Sequence, residues 1–244
     1  MTINCASDAA LPRPRRRLVR AVAAAVAPCL CLTVQTSAAD AAPLEVRIGY
    51  DRSFDAACSF LRGYPIPPDW RHQLESRLPA MRALWAKEGL PVLERAFELS
   101  GRRLHGRRGV SLTLCDAPSS SSLFGTTVNM RHALPSFTAA PVPLRYKVGV
   151  ANHELLHRLV AEAGLRHSRL LAAHAGEPPR VLSHLHLFAL MKAAMLDLGR
   201  KDALEEMQRI DAQLPESAYG RAWQLVNRTP DEHLAYVAEL RQAR

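Results

Sequence analysis

The sequence predicts an α+β domain, and three observations carry that prediction. Short stretches of alternating apolar and polar residues fall early in the chain, as in PLEVRIGYD, Pro43 to Asp51. From Leu144 onward, apolar residues recur at helical spacing almost to the end. The 244 residues are 48% hydrophobic, enough to bury one real core. Strands first and helices second is the order of an α+β fold rather than of alternating βαβ units.

The first forty residues read as a targeting segment. LPRPRRRLVR is a basic start, and Ala21 to Val34 is an apolar run of fourteen residues. The small residues of QTSAADA follow, with Ser37 and Ala39 placed at minus three and minus one of a cut. This is the order of a secretory signal peptide. The apolar run is too short, and broken by Pro28, for a stable membrane span. The expected organisation is a signal peptide over 1–41 and a single domain over 42–244, secreted or periplasmic.

Removal of that segment changes two tallies. Residues 1–41 carry five Arg against two Asp, so the full-length charge of +9 becomes about +6. Such a charge favours weak contact with anionic surfaces. Nucleic-acid binding is not expected, because no basic stripe is interleaved with aromatics. Cys5, Cys29 and Cys31 leave with the signal, and Cys58 and Cys115 remain. An even count in an oxidising compartment predicts a disulfide between them, worth about 4 kcal/mol in the chain-entropy account.

Along the mature chain, Pro43 to Asp51 is the first strand and RGYPIPPDW a Pro-rich connection. DWRHQLESRLPAMRALWAKEG is helical, with Pro79 expected to end or kink it. LPVLERAFELSG is a second helix stopped by Gly101. GRRGVSLTLCD reads as a strand, APSSSSLFG as a polar loop and TTVNMRHAL as a further strand. LRYKVGVANHELLHRLVAEAG is one long helix, and EPPRVLSHLHLFALMKAAMLDLGR is another that starts at its prolines. Three shorter helices follow, in DALEEMQRIDAQL, ESAYGRAWQLVN and TPDEHLAYVAELRQAR.

The chemistry concentrates in VANHELLHRLV, Val150 to Val160. Residues four apart share a helix face, so His153 and His157 direct two imidazoles to one point. Glu154 sits beside that point without being a ligand. Two imidazoles, a third ligand and water make a catalytic zinc site, in which a nearby carboxylate takes the proton of the water. No Cys-x-x-Cys spacing is present, residues 119–122 lack the glycine frame of a nucleophile elbow, and no phosphate loop or dinucleotide fingerprint occurs.

Over some fifteen residues around VGVANHELLHRLV, the chain resembles the zincin metallopeptidases, whose active-site helix carries this His-Glu-x-x-His signature. The resemblance implies His153 and His157 as zinc ligands, Glu154 as catalytic base and a peptide as substrate. Arg158 departs from the pattern, which prefers an uncharged residue after the second histidine. An edge strand in TTVNM that aligns an extended peptide beside the metal would follow by analogy. The metzincin branch would need Gly at position 160 and His at 163, where this chain has Val160 and Ala163. A gluzincin-like branch is favoured.

Two candidates for the third ligand stay open. Glu177 lies twenty residues after His157, the spacing of thermolysin-like gluzincins, but Pro178 pushes it out of helical geometry. His184 lies within the next helix, on a core-facing stripe with Val181, Phe188, Met191, Met195 and Leu198. His186 points away from His184 and is read, with His174, as surface or as support for the ligands. Tyr219 is a candidate donor to a developing oxyanion. The expected function is that of an exported zinc metallopeptidase. The alternative is a non-catalytic, envelope-associated binding module whose metal site is degenerate or absent.

Overall fold

Six residues of alternating character, Glu45–Tyr50, form strand β1, and the computed structural model places it parallel to β2, Arg107–Thr113. The structure describes residues 44–122, 125–165, 167–214 and 217–243, within one unit spanning Ala41–Arg244. The predicted signal peptide lies outside the described residues. Strand β3, Ser120–Ser122, and strand β4, Gly125–Asn129, complete a sheet of order β1-β2-β4-β3. β2 and β4 are parallel, and β3 runs antiparallel to β4.

Two strand expectations are corrected. The serine-rich stretch expected to be a loop contains β3, which pairs with β4 through Ser120–Thr127 to Ser122–Gly125. The TTVNM strand expected at the edge is interior, because β3 covers it. Three serines carry no apolar alternation, so their strand character comes from the ladder with β4 rather than from their own propensity.

Three helices and a π turn separate β1 from β2. Helix α1, Arg52–Arg62, is capped by Asp51, whose carboxylate accepts from the Phe54 amide at 2.9 Å. Its burial is inverted: Asp55 is buried and accepts from the Leu114 amide and the Thr113 hydroxyl, whereas Phe60 is 85% exposed. The predicted disulfide is formed, and Cys58–Cys115 ties α1 to the chain beyond β2. Helix α2, Pro68–Leu84, runs through Pro79 rather than ending there, with Leu74 and Met81 buried on either side. A π turn, Trp85–Gly89, joins it to α3, Leu90–Ser100. At Gly89 a Cβ would fall 2.3 Å from the Trp85 ring, so only glycine fits that turn. Gly101 stops α3 as expected, with φ 66.

The second half is helical: α4 Leu144–Glu162, the short α5 Arg169–Ala172, α6 Pro179–Asp197, α7 Lys201–Gln213, α8 Ser217–Val226 and α9 Glu232–Gln242. α6 is apolar almost all round and is buried from His184 through Met195, as a central helix must be. It packs on α3, α4, α7, α8 and α9. α4 lies between α6 and the β3–β4 side of the sheet. The fold is α+β, and among the described residues no helix is long and apolar enough to cross a membrane.

Candidate metal centre

The centre is built by two helices that hydrocarbon holds together. Leu155, Leu156 and Leu159 on α4, and Leu185, Phe188 and Met191 on α6, are all within 1% of complete burial. Phe188 stacks on Trp223 of α8 with ring centroids 4.0 Å apart, which fixes the rotation of α6. With both helices so fixed, His153 and His157 on α4 and His184 on α6 face one another. Their Nε2 atoms are 3.0 Å apart for His153 and His157, 3.1 Å for His157 and His184, and 3.2 Å for His153 and His184.

These three residues lie close enough to bind a metal ion. Imidazole nitrogens held by one tetrahedral zinc at about 2.0–2.1 Å stand about 3.3 Å apart, so the observed triangle has the right size. The donor chemistry fits as well. His184 Nδ1 lies 2.5 Å from the Arg180 carbonyl, which can only accept, so that nitrogen carries the proton. The Nε2 lone pair of His184 is thereby aimed into the triangle, the usual service of a backbone partner to a ligating histidine.

Burial keeps the three rings neutral. It holds His153 well below the ordinary histidine value, with the other two imidazoles and Arg180 adding to the effect. It pushes His157 down to about 4 and lowers His184 as well. Neutral imidazole is the form that ligates a metal. Glu154, buried beside His153, has its carboxyl pushed up to about 8, chiefly by desolvation.

An open cleft of about 590 Å³ leads to the triangle. One wall is the strand and turn at residues 119–122, and another is α4 through Glu154, His157, Arg158, Ala161 and Glu162. α6 contributes Arg180 and His184, and α8 contributes Tyr219. The Tyr219 ring lies 4.8 Å from that of His184, and its hydroxyl accepts from Arg180 Nη2 at 3.3 Å.

The two candidates for the third ligand separate. His184 joins the pair on α4, whereas the Glu177 carboxylate accepts from Arg221, through Nε at 3.0 Å and also through Nη2. His186, read as surface or as support for the ligands, is in the core: only 2% exposed, it pairs with Glu239 of α9 at 2.8 Å. Glu239 also accepts from the Ser168 hydroxyl and the Arg169 amide, so the cluster ties α9 and α5 to α6. His174 stands near Glu177 rather than near the triangle. Sequence reasoning missed Arg180, although its position one turn before His184 places it on the same face of α6.

In comparisons with known proteins, no family profile, curated protein or solved structure matches this chain.

Proposed function

We propose that the chain is a zinc-dependent peptidase of zincin type, with His153, His157 and His184 holding the ion and Glu154 acting as general base. The observation that supports this most strongly is the imidazole triangle. Three imidazole Nε2 atoms within 3.2 Å of one another are a donor set sized for one cation. Bound there, zinc supplies a Lewis acid that acidifies water and polarises a carbonyl.

The residues divide the remaining work. Glu154 stands one residue from a proposed ligand and lines the cleft; burial holds its carboxyl protonated without metal, and a cation bound beside it would ionise it, so that it can take the proton of an attacking water. The same carboxyl then returns that proton to the departing amine. Tyr219 and Arg180, side by side at the mouth of α6, offer an O–H and N–H groups to the oxygen on which negative charge develops. The backbone of β3 forms one wall, against which an extended peptide can lie. The signal peptide expected from the sequence, together with the disulfide, suits an exported enzyme.

The test is elemental analysis of protein purified without added metal, coupled to hydrolysis of a quenched fluorescent peptide library. About one zinc per chain and cleavage that ceases on chelation would support the reading. Metal-free protein that neither takes up zinc nor cleaves any peptide would overturn it.

A further inference from the structure

Resting on the peptidase reading above, we infer that Arg158 makes the cleft a subsite for a substrate carboxylate, so that the preferred substrates are peptides with an acidic side chain or a free C-terminal carboxylate beside the scissile bond. Arg158 follows the second histidine directly, where the resembled pattern has an uncharged residue. Its position on α4 places it in the lining of the cleft with His157 and Glu154.

The guanidinium is anchored at one corner only. Nη1 donates to the Ser122 carbonyl of β3 at 2.7 Å. The Nε–H is buried and has no acceptor. A buried N–H without an acceptor is costly. Among the described residues no carboxylate lies within ion-pair distance of Arg158.

Nη2 is not buried and donates to nothing among the described residues, so it is the corner of the fork left to receive a carboxylate oxygen. Arg180 also lines this cleft from the first turn of α6, and Glu162, exposed one turn after Arg158 on the same face of α4, lines it too without pairing with Arg158. With Nη1 fixed on β3 and Nε buried, Nη2 is oriented before a ligand arrives, which lowers the entropy lost on binding. A cation in this position rewards an anionic group and does little for its amide counterpart.

The experiment uses pairs of fluorescein-labelled peptides that differ only in Glu versus Gln at one position, or in a free acid versus an amide at the C-terminus. Affinity is read by anisotropy on zinc-loaded Glu154→Gln protein, and kcat/KM on the unchanged enzyme. The acid member of at least one pair should bind roughly tenfold tighter, the worth of one charge-assisted hydrogen bond. Preference in the Glu/Gln pairs identifies a side-chain carboxylate, and preference in the terminal pairs identifies a chain end. Arg158→Gln, in the same background, should erase the difference, and Arg158→Lys should retain only part of it. Should Arg158→Gln fail to fold, the lysine variant decides alone, and full retention of the preference in it overturns the inference. Equal affinity for acid and amide throughout, or a preference that survives Arg158→Gln, would also overturn it. Binding preference without cleavage of any peptide would sink the peptidase reading instead, and cleavage without preference would sink only the role of Arg158.

Discussion

The Nε2 atoms of His157 and His184 lie 3.1 Å apart, although 27 residues of chain separate the two histidines. That approach depends on the packing of α4 on α6 and not on local sequence. The three imidazoles are therefore brought together by the hydrophobic core.

Metal binding should stabilise the fold in proportion to its affinity. With free zinc at a hundredfold excess over Kd, linkage gives about 2.7 kcal/mol, or a rise of roughly 5–10 °C in Tm for a domain of this size. Differential scanning calorimetry with and without zinc checks this. His184→Ala should lose the zinc-dependent increment even where its metal-free Tm is already lower.

Glu154→Gln keeps the size of the side chain and removes the base. Zinc content should stay near that of the parent protein, while kcat falls by roughly 10²–10⁴. Elemental analysis beside steady-state kinetics tests the pair of outcomes. A parallel loss of zinc and activity would make Glu154 a structural residue.

Breaking the Cys58–Cys115 link should cost about 4 kcal/mol, because its loop spans 57 residues. Urea denaturation of the Cys58→Ala/Cys115→Ala variant measures it. The zinc stoichiometry should not change, since α1 contributes no ligand.

Lys147 supplies the part of the pH dependence that lies on the alkaline side. It is 6% exposed, and burial pushes its ammonium from the ordinary 10.5 down to about 8. The unfolded chain therefore binds the proton more tightly than the folded chain. Stability should rise between pH 8 and pH 10.5, and the full penalty, about 3 kcal/mol, applies below that window. Lys147→Met should stabilise the protein at pH 7, and the gain over the parent should shrink toward pH 10 in urea titrations.

Replacing Asp211 by Ala should cost about 3–5 kcal/mol. The buried carboxylate accepts from the Tyr146 hydroxyl and the Trp223 indole N–H, both at 2.8 Å. Its loss leaves two buried donors unpaired between α4, α7 and α8. Because Trp223 stacks on Phe188, the zinc affinity should weaken as well, and titration with a chromophoric chelator would show it.

What was legible in the sequence follows the range of the forces involved. The pairing of His153 with His157, and the place of Glu154 beside them, needed only helical spacing. The stripe Val181–His184–Phe188 marked the inner face of α6, and the parity of two cysteines marked the disulfide. Other features depended on partners far along the chain. β3 is three serines made into a strand by Gly125 and its neighbours. α1 hides Asp55 and exposes Phe60, the reverse of the usual amphipathic pattern. His186 looked like surface because its partner, Glu239, arrives from the last helix.

The width of the imidazole triangle also sorts ions by bond length. Calcium and magnesium ask for cages of oxygen, calcium at about 2.3–2.6 Å, and three close nitrogens offer neither the atoms nor the room. Several first-row divalent ions would suit three imidazole nitrogens, and copper outranks zinc in intrinsic affinity. Supply would then decide which ion the three imidazoles take up. An ion recovered from the native protein would record the compartment in which the chain was filled.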